Sequence, residues 1–374
     1  MRLREQPSDA LALTGLNHLI WRGRRLLHFS GCDYFRLARS TRLAISAASF
    51  MDKEGLNVAA SRITTGNRSL YAKLEETLAE FFRFTSAVLL NSGYSATLAA
   101  AQGLAGTFTH AFVDEWAHAA LQDAARYLNC PVMVFRHRDA RHLRSLLAKS
   151  GKLNRPVILT DGLFSHDGSV APLREYMKIL PREGRILLDD AHGAGVLGAT
   201  GRGAAEAAGV GHERIILCAS LAKAFGSAGG VVLCDSRIRR QIFIRSGIFK
   251  GSTPLPPPLA GAALTAARLL QKSASRRFRL HQHTRQVREQ LKITGWPIPE
   301  NPGPIVRLPD LSPAASARLG SQLFKAGIYP SRLKYSAASE SAAFRFVISS
   351  EHSGEDLKRL TSALGSFEAF NRRL

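Results

Sequence analysis

The chain is short of cysteine, of long apolar runs and of acids to balance its bases. Its four cysteines, Cys32, Cys130, Cys218 and Cys234, are scattered and form no CxxC pair. That spacing argues against a zinc site or a disulfide framework, and a reducing cytoplasm is the expected setting. No apolar run approaches the roughly 20 residues of a membrane span. The first nine residues are polar, without the apolar stretch of a secretory signal. Internal repeats and low-complexity tracts are also missing. Acids number 29 against 51 lysines and arginines, a formal net charge of +22. The bases gather at Arg22–Arg25, Arg237–Arg245 and Arg276–Lys292. Such an excess favours polyanions: nucleic acid, anionic lipid, coenzyme A phosphates or an acidic carrier protein. The clusters lack the interleaved aromatics of a single-strand binder and carry no zinc-finger or RNP pattern, so nucleic acid is not an expected partner. A solvated basic face is the plainer reading.

What is present describes a globular protein with a sizeable core, since 45% of the 374 residues are hydrophobic and 21% charged. Short apolar runs fall at 87–90, 111–113, 132–135, 157–160, 186–189, 215–219 and 231–234, most of them separated by helix-like segments. Continuous apolarity in each run predicts strands buried on both faces, and their alternation with helices predicts an α/β fold with a mostly parallel sheet. Before them, residues 1–35 read as a helix and a short strand, Leu26–Phe29. Residues 36–85 read as helical, interrupted near Gly66. Leu70, Leu74, Leu78, Phe81 and Phe82 carry the spacing of an amphipathic helix. The break Gly251-Ser252-Thr253-Pro254-Leu255-Pro256-Pro257-Pro258 marks a boundary. The expected organisation is an N-terminal segment (1–35), a large α/β domain (36–255) and a smaller α+β domain (256–374). In the last, a long helix over 259–293 leads to strands at 305–308 and 344–348 and a final helix over 354–370.

The chain is organised around Ser220-Leu221-Ala222-Lys223-Ala224-Phe225-Gly226, which lies between two of these apolar strands. A lysine alone beside glycines is most often a surface residue. Here it is held in a loop between buried strands, where desolvation makes it a usable amine nucleophile, for a Schiff base for example. Ligands of open α/β sheets bind beyond the carboxyl ends of strands. Reading those positions in turn gives Asn91-Ser92-Gly93-Tyr94-Ser95 opening a helix, then Asp114 to His118. Next come Asp161 to Gly168, with Ser165, then Asp189-Asp190-Ala191-His192-Gly193, and finally Ser220 with Lys223. One sheet edge thus gathers helix-start amides for a phosphate, two histidines, carboxylates, hydroxyls and an amine. Pyridoxal phosphate needs such a set: an amine for its aldehyde, a carboxylate for its ring nitrogen, a flat partner for its ring and donors for its phosphate. Gly193-Ala194-Gly195-Val196-Leu197-Gly198 also fits GxGxxG. It lies mid-chain with no acid ending the next strand, so it reads as a tight loop rather than a dinucleotide fingerprint.

These motifs resemble, in order, those of the α-oxoamine synthases, pyridoxal-phosphate enzymes of the aspartate-aminotransferase fold type (fold type I). The resemblance rests on Ser61-Arg62 with Thr65-Gly66-Asn67, Asn91 to Tyr94, Thr160 to Gly168 with Ala171-Pro172-Leu173, Asp189 to Gly193 running to Gly201-Arg202-Gly203, the Lys223 loop and Ser252 to Pro257. It implies that Lys223 joins the cofactor aldehyde and that Asp189 pairs with the pyridine nitrogen. His192 and Ser165 would bond the ring hydroxyl, and His118 would stack on the ring. The Gly93 and Tyr94 amides with Ser220 would hold the phosphate, which Thr253 would reach from the other subunit of a homodimer with a shared active site. The implied reaction condenses a small amino acid, alanine first among the candidates, with an acyl thioester of coenzyme A or of an acyl carrier protein, losing carbon dioxide. Glycine or serine as donor, or plain transamination, are the alternatives.

The chain departs from the family pattern in three places. Cys32 replaces an asparagine, with Phe35-Arg36 following where Leu-Gly is usual. His166 replaces a methionine. The arginine that binds the substrate carboxylate has no clear counterpart; Arg332 is nearest, with Lys334 and Arg345 as rivals. The departures bear on the substrates rather than on the cofactor.

Overall fold

The computed structural model describes residues 10–151, 155–333 and 343–367. The chain divides into two compact units. The smaller comprises Met1–Gly31, Arg279–Glu300 and Pro304–Leu374, and the larger comprises Cys32–Phe278 with Asn301–Gly303.

The smaller unit begins with an antiparallel sheet of β1 (Ala12–Leu13), β2 (His18–Trp21) and β3 (Arg24–Leu27). The helix expected here is absent among the described residues. Arg22 and Gly23 have φ of 50° and 71°, the double left-handed pair of a two-residue hairpin turn, which commits the flanking residues to strands. The chain then enters the larger unit with α1 (Thr41–Glu54) and α2 (Ser69–Phe82).

Strands and helices alternate from there: β4 (Ser86–Leu90), α3 (Gly93–Gly103), β5 (His110–Asp114), α4 (Ala119–Tyr127), β6 (Val132–Phe135) and α5 (Ala140–Lys149). Then follow β7 (Pro156–Asp161), α6 (Leu173–Ile179), β8 (Arg185–Asp189), α7 (Ala204–Ala208), β9 (Ile215–Ser220) and β10 (Gly230–Cys234). These form one seven-stranded sheet in the order β4-β10-β9-β8-β7-β5-β6, with β10 antiparallel to both of its neighbours. Every residue of β7, β9 and β10 is buried, which is why these strands read as unbroken apolar runs. α3 packs on them through Ala96, Ala99, Ala100 and Ala101, all without exposure, small side chains that let the helix approach closely.

The larger unit continues through α8 (Ser236–Arg245), α9 (Gly247–Gly251) and α10 (Pro257–Gln271), and α10 packs against α1 and α2. The proline-rich turn therefore starts a helix of this unit, and the chain leaves it only at Phe278–Arg279. The single helix expected over 259–293 is two, α10 and α11 (Ala274–Ile293), interrupted at Lys272–Ser273. The smaller unit is completed by β11 (Ile305–Arg307), α12 (Pro313–Lys325), β12 (Arg332–Leu333), β13 (Ala343–Val347) and α13 (Gly354–Gly365). The far end of the expected last helix lies outside the described residues. Leu27 and Phe29 join the core of this unit with Val287, Trp296, Phe344 and Phe346, which draws the N-terminal strands to the C-terminal part of the chain.

Candidate active site

β7 ends at Asp161, β8 at Asp189 and β9 at Ser220, all on one edge of the sheet. Asp161 and Asp189 are register partners on adjacent parallel strands, so their side chains leave the same face. Two residues earlier, Leu159 and Leu187 put that same face into the core shared with α3 and α4.

α3 starts at a capping box, in which Ser92 Oγ accepts from the Ser95 N–H and Ser95 Oγ accepts from the Ser92 N–H, both at 3.0 Å. Its first residue, Gly93, lies against Ser220: a Cβ there would stand 3.0 Å from Ser220 Cβ and 3.5 Å from its Oγ. A Cβ on Gly230 would stand 2.1 Å from the Ser92 carbonyl oxygen and 2.6 Å from the Gly93 nitrogen. Glycine at both positions leaves helix-start amides beside a hydroxyl, which suits an anion. Tyr94 is partly exposed, and its hydroxyl donates to Asp123 of α4. Thr253 is exposed, and its carbonyl accepts from Asn91 Nδ2 at 2.6 Å, tying its loop to the residues before α3.

His118 is the N-cap of α4. Its Nδ1 accepts from the Ala120 N–H at 3.2 Å, and its own backbone N–H donates to Asp161 Oδ2 at 2.8 Å. The ring is exposed and meets Tyr94 edge-on, with centroids 6.2 Å apart. His192 is buried, and its Nδ1 shares a 2.7 Å hydrogen bond with the hydroxyl of Tyr34, itself fully buried. Ser165 is half-buried in the loop after β7.

Lys223 is half-buried in the turn between β9 and β10, where its carbonyl accepts from the Gly226 N–H at 2.9 Å. Its ammonium lies near enough to lower the proton affinity of Asp161 and Asp190. Burial, with the neighbouring Asp189 adding to it, pushes Asp161 well above the usual carboxylate range. Asp189 is 6% exposed, and its Oδ1 accepts from the Ala191 N–H at 3.0 Å. The edge therefore brings the Lys223 amine near the buried carboxyls of Asp161 and Asp190.

Asp190 turns away into a cage of glycines. Its Oδ2 accepts from the Ala204 N–H at 2.8 Å, while Oδ1 is buried without a hydrogen-bond partner among the described residues. A Cβ on Gly162 or Gly193 would stand 2.2 Å or 2.1 Å from Oδ1, and one on Gly203, where φ is 92°, 1.8 Å from Oδ2. The GxGxxG stretch is this cage and its turn, and no helix begins until α7. Burial above all raises the Asp190 pKa to about 8 from 3.8. Across that interval the folded chain keeps a proton that the unfolded chain has released, so stability falls as pH rises, by about 1.4 kcal/mol per unit. Asp190→Asn removes this dependence. Urea unfolding of the cofactor-free proteins between pH 5 and 8 is expected to show the variant gaining on the parent at each step upward; a constant gap would contradict the assignment.

Of the proposed carboxylate binders, Arg332 lies on β12 of the smaller unit with its guanidinium 5.4 Å from the Phe344 ring centroid, and Arg345 lies on β13. Lys334 is outside the described residues. Tyr34, Asp161 and Asp190 are residues of the candidate site to which sequence reasoning assigned no role. Asp161 and Asp190 carried a signal in standing at or next to strand ends, whereas Tyr34 meets His192 from 158 positions away.

Comparison with known proteins identifies the family and the fold. The aminotransferase class I and II family matches residues 40–364. The chain is 32% identical over 359 residues to 8-amino-7-oxononanoate synthase of Thermosipho melanesiensis, covering 95% of this chain and 91% of the relative. Among solved structures, 8-amino-7-oxononanoate synthase of Francisella tularensis superposes with a TM-score of 0.79 at 25% identity, over 91% of this chain and 97% of that one. Serine palmitoyltransferase of S. paucimobilis, solved with bound PLP and myriocin, reaches 0.89 at 22% identity, over 96% and 92%, a likeness of fold. The chain belongs to the aminotransferase class I and II family, within its α-oxoamine synthases.

Proposed function

From that membership we propose that the protein is a pyridoxal-phosphate-dependent acyltransferase of the 8-amino-7-oxononanoate synthase kind, serving biotin biosynthesis. It would join L-alanine to an acyl thioester, carried by coenzyme A or an acyl carrier protein, with loss of carbon dioxide, to give an α-amino ketone. The observation that carries the reading is the convergence of Lys223, buried Asp189 and the glycine-opened start of α3 on one sheet edge.

The residues fit the cofactor. The amides of Gly93 and Tyr94, with the Ser220 hydroxyl, would hold its phosphate, glycine at 93 and 230 letting the start of α3 lie close against Ser220 and β10. The Asp189 carboxylate would keep a proton on the pyridine nitrogen. His192, braced by Tyr34, and Ser165 would meet the ring hydroxyl. His118 would cover the ring face from the start of α4. When bound, the cofactor supplies an electron sink for bonds broken at the amino acid α-carbon. Lys223, as the free amine, takes the α-proton of the amino acid. Arg332 is the candidate for the substrate carboxylate.

Exposed apolar side chains on and after α1, Ile45 at 67%, Met51 at 46%, Leu56 at 69% and Ile63 at 57%, support a second copy as their cover, and Thr253 is the residue expected to reach the partner's phosphate site. No described helix is long and apolar enough to cross a membrane.

The test is a visible-absorbance titration of the cofactor-loaded protein with alanine, glycine and serine, followed by carbon dioxide release on adding pimeloyl-coenzyme A. Saturation by alanine at the lowest concentration, with release dependent on the thioester, is expected. A pyridoxamine form accumulating with amino donor alone would replace this reading with transamination.

A further inference from the structure

The backbone at His118 is held by a side chain from a different element. An N-cap residue usually leaves its own N–H to water or to a returning side chain of its helix. Here the His118 N–H donates to Asp161 Oδ2 at 2.8 Å, across from α4 to the end of β7. Asp161 is 3% exposed, so solvent is poorly placed to substitute for it. It is also the register partner of Asp189, so the end of β7 both pairs with the strand end that carries Asp189 and holds the start of the helix that carries His118.

We propose that Asp161 is the positioning residue of His118: by accepting the His118 backbone N–H it sets where the imidazole stands relative to the Asp189 carboxyl. This rests on the reading of His118 as the group that covers the cofactor ring. Burial and the nearby Asp189 favour the protonated form of Asp161, which still offers an oxygen to the His118 N–H. A neutral amide of the same shape offers the same oxygen. Asp161→Asn is therefore the conservative variant and Asp161→Ala the disruptive one, the reverse of what a carboxylate acting as a base would show.

The first readout uses the cofactor-free chain labelled with 15N-histidine. Amide hydrogen exchange at His118 is expected to quicken at least about tenfold in Asp161→Ala, since an opened hydrogen bond exposes the amide, and to stay near the parent rate in Asp161→Asn. The second is steady-state kinetics of the loaded enzyme. Asp161→Ala is expected to lose about 10- to 100-fold in kcat, the scale of a misplacement near 1 Å, with KM for the amino acid little changed. Asp161→Asn should retain parent kcat, and in a His118→Ala background Asp161→Ala should cost nothing more.

The proposal is overturned if His118 exchange is unmoved in Asp161→Ala, if Asp161→Asn falls as far as Asp161→Ala, or if the Asp161→Ala and His118→Ala losses multiply. Should the alanine variant not fold, lost protection or lost kcat in Asp161→Asn overturns it equally. Parent activity in His118→Ala would instead sink the catalytic reading of that ring, while exchange still decides whether Asp161 holds it.

Discussion

Lys223→Ala is expected to lower kcat about 10⁴-fold, the upper end of what a positioned proton-transfer group contributes, and to remove the covalent anchor as well. Lys223→Arg should be nearly as inactive, although it keeps the positive charge, because a guanidinium does not give up its proton in a protein. The pair separates two roles that a lysine beside carboxyls can play. If Lys223 only balanced the charge of Asp161 and Asp190, arginine would restore activity. Losses under tenfold in both variants, measured as carbon dioxide release at saturating substrates, would remove Lys223 from the chemistry.

The largest effect on stability is expected at Glu75, which lies away from the chemistry yet supports it. Glu75 is 5% exposed, and its side chain pairs with Arg62, whose Nη2 is 3.2 Å from Oε2. Glu75 Oε1 also accepts the Leu89 N–H of β4 at 2.9 Å, and Arg239 approaches Oε2 at 3.6 Å. Glu75→Ala leaves Arg62, itself 9% exposed, as a buried charge short of its partner, and frees a donor in the strand that leads to α3. Breaking a buried pair in this way costs about 3–5 kcal/mol. Urea unfolding should show a loss of that size, with weaker cofactor binding because β4 delivers Ser92 and Gly93. Glu75→Gln, which still accepts from Leu89, should lose less. A change below about 1 kcal/mol would mean that the pair is only a surface contact in effect.

The sheet and the gathering of the candidate residues along one of its edges were legible in the sequence for the same reason. Strands buried on both faces cannot hide their apolarity, so β7, β9 and β10 were found within a residue of their observed limits; β6 was found at its limits as an apolar run, although Val132 and Val134 are exposed rather than buried as expected. Once strand ends are known, Asp189 and Ser220 follow as the residues at them and Lys223 as one just beyond. The N-terminal hairpin was not legible as such. It depends on a left-handed pair, Arg22–Gly23, whose first residue rarely adopts that conformation. The division of the chain was also hidden. α10 is apolar on the side that meets α1 and α2, and no local signal says that a helix after a proline run turns back to the preceding unit. Within the site, Asp190 was visible as half of an Asp-Asp pair, but its role in closing the loop needs Gly162, Gly193 and Gly203 brought together. Tyr34 and His192 meet only in the folded chain. Contacts of that kind have no periodicity to betray them.

Reduction of the pyridoxal-phosphate-loaded protein with borohydride, followed by peptide mass mapping, tests the account most directly. The expected result is one stable phosphopyridoxyl group per chain, on the Nζ of Lys223 and on no other lysine. Modification spread over surface lysines, or an unmodified Lys223 in a protein that carries the cofactor's colour, would contradict it.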